Sequence, residues 1–499
     1  MALGSLMSPL AMAASFELDN GVTVDIDTTL GYDAQWRMES QNSTVLSGGG
    51  NPVLALLGDD GNRNFDKHDM TQNRLSFGTD VDINYGAGGV FLRARGWYDD
   101  AYNDLDLAPA KSFQQDGIDL HASDVELLDA FIYHGFSVGD RYVSLRVGEQ
   151  VVNWGESLFI GGGISSAQGP LDASKANAPG VELKDIFMPI GQVLVEASLT
   201  DNLSLGAYYQ YDWQETRIDA PGSYFSVLDG LGQESVGDTL DIGTPVMEDT
   251  PDKGQAGLAL RYLAENLNST EFGLYYLRYN DFMPALQLNA GTGFADVHEY
   301  FEDIDLVGLS FGTVIGDTNV SGEISYRDGQ PVQLNVPGQF VFERAKTVQA
   351  QVSAIHVFPE NPFADQLVFT GEIGYNRVLD IDGVSGSVSD ALDNDRSAAS
   401  FTGRLTGDYY NVLPSVNLKA SATYRNDFNG VSSVPFTFTE GGEVFSLKAD
   451  FTSGPHAFGG SYVWYLTDVD DILGDTGKLE LSHLNADRDY AALYYKFRF

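Results

Sequence analysis

From Val22 to Met38 the chain alternates. The even positions read Val22, Val24, Ile26, Thr28, Leu30, Tyr32, Ala34, Trp36, Met38, and the odd positions Thr23, Asp25, Asp27, Thr29, Gly31, Asp33, Gln35, Arg37. A helix would scatter both sets around its circumference, whereas a strand sends them to opposite faces. This segment is too long for an average soluble strand and suits a tilted strand crossing a bilayer. The same pattern recurs. Leu75, Phe77, Thr79, Val81, Ile83 and Tyr85 alternate with Arg74, Ser76, Gly78, Asp80, Asp82 and Asn84. Val416 to Arg425 and Phe445 to Phe451 repeat it, while 123–138 and 270–279 are less regular.

Connections alternate as well. Short links fall near Gly86–Gly89, Gly139–Arg141, Asp201–Asn202, Glu265–Ser269, Ile315–Thr318, Phe358–Gln366, Asn411–Ser415 and Ser453–His456. Longer polar stretches lie between them at 39–71, 99–122, 155–187, 214–253, 280–303, 328–345, 378–397, 426–442 and 466–486. The expected fold is therefore all-β: a single closed antiparallel transmembrane β-barrel of about eighteen strands over 15–499, with short periplasmic turns and long extracellular loops. A soluble sandwich would bury the same apolar face against a second sheet and would show compact turns at both ends.

Composition sharpens this picture. The chain has 25 Tyr, 29 Phe, 55 Gly and only 17 Pro in 499 residues, and no run of about 18 apolar residues follows the N-terminus. The formal net charge of −43 argues against nucleic acid as a partner. In a barrel that acid belongs mainly to surface loops, beside outer-membrane lipid and lipopolysaccharide. There is no cysteine, which a closed barrel does not need. Met1 to Ala14 carries no charge and ends Ala11-Met12-Ala13-Ala14, the form of a secretory-signal remnant. The last strand ends Leu493-Tyr494-Tyr495-Lys496-Phe497-Arg498-Phe499, with Tyr495, Phe497 and Phe499 in the outward phase. A terminal Phe with alternating aromatics reads as a signal for the barrel-assembly machinery, or else as an ordinary closing strand. The expected location is the outer membrane.

The inward phase carries both signs of charge, including Asp25, Asp27, Arg74, Asp80, Asp82, Arg93, Arg95, Arg404 and Asp408, with Glu323, Glu372, Lys419, Lys448 and Asp450 on other strands. Such groups either pair along the wall or set an ion preference. The stretch after Arg146-Val147-Gly148-Glu149-Gln150 is the most distinctive, because Trp154, Phe159 and Ile160 make 155–187 too apolar for a solvated loop. It is expected either to fold inward as a constriction or to pack on the rim. The candidates are Arg146, Gln150, Trp154, Glu156, Phe159 and Ile160. By parity Glu149 faces lipid, so a bulge or cover is expected there.

These residues carry a family resemblance. Arg146-Val147-Gly148-Glu149-Gln150, Asn153-Trp154-Gly155-Glu156-Ser157-Leu158-Phe159, Pro179-Gly180-Val181-Glu182-Leu183-Lys184, Arg95-Gly96-Trp97-Tyr98-Asp99 and Gly222-Ser223-Tyr224-Phe225 resemble a large proteobacterial outer-membrane family of unassigned function. The chain departs from its pattern at Gly169 and at Asn177-Ala178. Members are typically encoded beside a LolB-like periplasmic protein and an RND-type transporter. The resemblance thus implies those partners and traffic in apolar or amphipathic molecules such as lipids, sterols or hydrocarbons.

Three functions remain in competition at this point: a barrel passing apolar or amphipathic solutes, a polar-solute porin with cation preference, and an outer-membrane hydrolase. Nothing supports the last. No His-Glu-x-x-His, Gly-x-Ser-x-Gly or P-loop pattern occurs. Acidic loop runs such as Asp99, Asp100, Asp104 and Asp106 lack full EF-hand spacing and read as solvated acid or as weak calcium sites. The expectation is no enzyme, no cofactor and no structural metal.

Overall fold

The computed structural model describes residues 14–19, 21–47, 60–103, 117–226, 246–251, 254–288, 296–336, 339–359, 361–468 and 481–499. Eighteen antiparallel strands make one closed sheet. In chain order they are β1 Thr23–Arg37, β2 Met70–Asn84, β3 Gly88–Asp99, β4 Ser123–Val138, β5 Arg141–Gln150 and β6 Ile190–Ser198. Next come β7 Leu203–Gln210, β8 Gln255–Ala264, β9 Thr270–Tyr279, β10 Ile304–Ile315, β11 Thr318–Val336 and β12 Gln339–Phe358. The last six are β13 Gln366–Ile381, β14 Ser397–Leu413, β15 Val416–Asn429, β16 Glu443–Ser453, β17 His456–Tyr465 and β18 Tyr490–Arg498. Each pairs with its chain neighbour, and β18 closes on β1 from Thr29↔Arg498 to Arg37↔Tyr490. The C-terminal Phe499 adds reciprocal backbone bonds with Thr28 at that seam (2.7 and 2.8 Å).

The period-2 pattern explains which face is which. Outward residues such as Leu75, Phe77, Val125, Leu127, Ile132 and Leu258 are exposed although large and apolar. A closed sheet with a greasy exterior satisfies its backbone internally and meets lipid outside. No helix among the described residues is long and apolar enough to cross a membrane. The irregular stretches 123–138 and 270–279 are full strands, β4 and β9. In β4 a register shift against Leu92/Ala94 interrupts the alternation.

Of the stretch 328–345, expected as a loop, the described residues 328–336 and 339–345 are instead strand. β11 and β12 stay paired from Thr318↔His356 to Val336↔Gln339, with an irregularity at Asp328/Gln330. Gly329 takes φ +97 there and absorbs the extra residue. Gly329 and Pro331 read as loop, yet Val332 and Ala345 bury against Val378, Ile381 and Leu392. Of the bulge or cover expected near Glu149, an irregularity lies at Leu128 and Asp129 of β4, next to its partner Ala130, while Glu149 itself keeps register with Ala130 and Gly191. The Tyr211 ring lies over Gly191 beside the Glu149 carboxylate and supplies the cover. Residues 1–13 of the expected signal remnant lie outside the described residues. Ala14 opens a short strand, Ala14–Glu17, that pairs with β1.

Candidate functional site: a chain segment across the lumen

Residues 151–189 leave β5 and return to β6 through the barrel interior. Their first half docks on the inner wall of β6–β13. Trp154 is 3% exposed and packs on Tyr208 and Tyr275, with ring centroids 5.0 and 6.1 Å apart. Ile164 and Ala167 join the same cluster with Leu194, Leu277 and Leu306. Inward apolar residues on β6–β10 therefore face protein, and their burial drives the segment inward.

Polar anchors hold the backbone beyond Trp154. The Glu156 and Ile164 amides donate to Glu323 (2.6 and 2.8 Å). Those of Leu158, Phe159 and Ile160 donate to Glu372 (3.1, 2.6 and 2.7 Å). One carboxylate thus collects three consecutive N–H groups, a strong charge-assisted arrangement. Arg327 donates to the Gly162 and Gly163 carbonyls (2.7 and 2.8 Å), and Gln349 to the Gly161 carbonyl (2.7 Å). The glycine run fits because a Cβ on Gly163 would lie 2.2 Å from Glu323 Oε1. Burial, with Glu271 and Glu323 close by, raises the Glu156 carboxyl above its ordinary range.

The second half reaches the opposite wall, β1–β4 with β18, half-way round the ring. Asp172 is fully buried and binds Arg95 (2.6 Å), Arg217 (3.8 Å) and Lys175 (3.8 Å). Glu126 on β4 meets Arg95 (2.5 Å) and Arg217 (2.7 Å). Burial opposes ionisation of Asp172, yet Lys175, Arg95, Ser174 and Arg217 hold it down at about 2. Burial pushes Lys175 down to about 7. His121 accepts the Ala220 amide at Nε2 (3.0 Å), and burial followed by Lys175 and Arg74 keeps the ring below its usual value. Glu182 binds Lys496 (3.3 Å) and also Arg498. Lys184 stands 3.8 Å from Asp80.

The sequence-derived candidates fall in different places. Trp154, Glu156, Phe159 and Ile160 come together on the first anchor. Gln150 sits at the segment's root, exchanging side-chain-to-backbone bonds with Gln192 (3.1 and 2.7 Å). Arg146 stays apart on β5, over the Phe131 ring at 5.9 Å. Among the lumen charges, Arg74 pairs with Asp99 (3.2 Å) and Arg93 with Asp80 and Asp129 (2.8 and 3.0 Å). Asp82 accepts from Tyr133 (2.8 Å), and Asp408 meets Lys419 (3.6 Å). Asp25 and Asp27 are exposed on the inner face of β1 opposite Asp82 and Asp80. Arg404 has no carboxylate within 4 Å among the described residues. It donates to Thr423 (3.0 Å) and lies 4.9 Å from the Phe159 ring centroid. Tyr495 and Phe497 face outward on β18, with His456 bonded to the Tyr495 hydroxyl (2.7 Å).

Asp172, Lys175, Glu126 and Arg217 were not anticipated. They are scattered through two loops and the irregular strand β4, where no alternation marks them. Tyr224, in the Gly-Ser-Tyr-Phe run, is fully buried in an external cluster with Phe65 and Tyr102, and the Arg488 guanidinium bonds its carbonyl. Arg37 and Asp487 form a buried pair beside it (3.3 Å). Loops after β1, β3, β7 and β17 are thereby tied together over one side of the mouth. The wall of β14–β16 is different. Arg404 and Lys419 are exposed there, with Ser421, Thr423, Lys448 and Asp450 partly so.

The family described as "Protein of unknown function (DUF1302)" matches residues 1–499. No curated protein matches. Among solved structures, Acinetobacter baumannii OccAB1 is similar at 11% identity, with 99% of each chain covered and a TM-score of 0.49. The outer-membrane channel DcaP of Acinetobacter baumannii is similar at 13% identity over 97% of this chain and 100% of that one, with a TM-score of 0.42. Pseudomonas aeruginosa OccK1 (OpdK) is similar at 10% identity over 95% and 98%, with a TM-score of 0.44.

Proposed function

Since the chain belongs to the family described as Protein of unknown function (DUF1302) and is a closed outer-membrane barrel, we propose that it passes amphipathic solutes across that membrane along the β14–β16 wall. The observation that carries this reading is the segment 151–189, anchored on opposite walls, which fills the apolar side of the lumen and leaves a polar side. That side offers Arg404, Thr423 and Ser421 to a polar group, beside Lys419 and Lys448 in their pairs with Asp408 and Asp450, and the Phe159 ring to an apolar body. A purely apolar solute is less well served. The inward apolar residues of β6–β10 are consumed by Trp154, Ile164 and Ala167.

A polar-solute porin with cation preference is the second reading, favoured by exposed Asp25 and Asp27 on the inner wall. Planar-bilayer recording and liposome uptake separate the two. The amphipathic reading expects a low conductance and faster entry of long-chain carboxylates than of small sugars. A large, always-open, cation-selective conductance with rapid sugar-driven swelling would replace it with the porin.

A further inference from the structure

Beneath residues 175–185, on the β1–β3 side, lies a cavity of about 140 Å³ whose lining includes Asp27, Asp33, Trp97, Lys175 and Lys496. Ion pairing among its lining side chains is uneven. Each basic side chain lining it is already held by a carboxylate: Arg74 by Asp99 (3.2 Å), Arg93 by Asp80 (2.8 Å), Arg95 by Asp172 (2.6 Å), Lys175 by Asp172 (3.8 Å), Lys184 by Asp80 (3.8 Å) and Lys496 by Glu182 (3.3 Å). Asp27 and Asp33, by contrast, have no basic partner within 4 Å among the described residues. Asp33 is 7% exposed, and its Oδ1 is buried without a hydrogen-bond donor. Trp97, equally buried, has an Nε1–H with no acceptor. Lys175 Nζ lies 4.3 Å from the Trp97 ring centroid, with Arg95 and Arg74 at 5.6 and 5.8 Å, so the indole's role toward a guest is its N–H edge.

We propose that this cavity binds a small organic cation, a primary ammonium that donates to Asp33 and carries an oxygen acceptor for the Trp97 N–H. An intramembrane carboxylate without a partner is costly, and a cationic guest removes the cost. An anionic guest would add to Asp27 and Asp33 and meet only cations already in contact with a carboxylate. A metal ion would need more ligands than are gathered here, since no group of three or more His, Asp or Glu able to hold one occurs among the described residues. A cavity of this size is comparable to an engineered one of about 150 Å³ that takes up benzene, room for a guest of a few heavy atoms such as an amino alcohol. The site stands apart from the transport reading, because binding to the detergent-solubilised barrel requires no passage.

Isothermal titration of the folded barrel with ethanolamine, ethylammonium and acetate tests it, with heat-modifiable migration reporting that each variant is folded. Saturable ethanolamine binding is expected, weakened about tenfold or more by Asp33→Asn. Trp97→Phe should weaken ethanolamine several-fold and leave ethylammonium unchanged. Absence of saturable binding, tighter binding of acetate than of ethanolamine, or undiminished binding to Asp33→Asn overturns the proposal. Should Asp33→Asn fail to fold, the ranking of the three probes on the native chain and on Trp97→Phe decides the matter in the same way.

Discussion

Glu372 accepts three consecutive amides from a segment more than two hundred residues away in sequence, and Glu323 accepts two more. Hydrogen bonds to a charged group contribute about 1.5–3 kcal/mol each. Removing the charge while keeping the shape should therefore loosen the segment without unfolding the barrel. Glu372→Gln is expected to weaken docking by a few kcal/mol, on the order of one such bond or more, and to raise single-channel conductance and noise. Bilayer recordings indistinguishable from the native chain would show that the segment's position does not depend on this carboxylate. Arg404 holds its guanidinium over the Phe159 ring of the same segment. Because it lacks a carboxylate partner within 4 Å among the described residues, its charge is available to a solute. Arg404→Ala should slow carboxylate uptake several-fold and move the reversal potential toward cation selectivity. An unchanged reversal potential would remove Arg404 from the path.

At the scale of elements, the sheet was legible because lipid and lumen impose opposite polarity on alternate residues, and β1, β2, β15 and β16 carry that imprint cleanly. Legibility failed where another force replaced the bilayer. The β11–β12 pair packs on Val378 and Leu392 there, and so tolerates Gly329 and Pro331 in strand. The site was half legible. Trp154, Phe159 and Ile160 stood out because an apolar run in an external connection needs a partner. Asp172, Lys175 and Arg217 did not, since charged loop residues look alike whether they meet water or one another. The motif glycine Gly148 belongs to this scale too. It takes φ +133 inside β5, and a Cβ there would lie 2.2 Å from the Ala130 carbonyl oxygen and 2.7 Å from Phe131 Cα. Both neighbours are backbone and cannot swing away. Gly148→Ala should part β4 from β5 at the point where the segment enters the lumen. The expected result is a marked loss of folded barrel, read as heat-modifiable migration after refolding. Native-like yield would mean that the backbone gives way locally.

For the whole molecule, the two anchors differ in chemistry, and this gives the barrel a pH response. The β11–β13 anchor rests on carboxylates accepting amides. The β1–β4 anchor buries Lys175 among Asp172, Arg95, Arg74, Glu126 and His121, and burial pushes its ammonium down from 10.5 to about 7. A base whose proton is lost on burial favours docking as pH rises. Undocked, Lys175 keeps its proton up to about 10.5, whereas docked it gives the proton up near 7, so the docked state gains across that interval. Asp219 works the other way. Burial, then Asp172, lifts it to about 7, so its contribution is full below 3.8 and falls away as pH climbs toward 7. Asp172, held at about 2, is ionised throughout. Above neutrality the lysine is therefore the group that sets the trend. Conductance and gating noise should fall as pH is raised from 7 to 9.5, and Lys175→Met should flatten that slope. If the slope survives in Lys175→Met, or runs upward in the native chain, the second anchor does not control how far the segment closes the lumen.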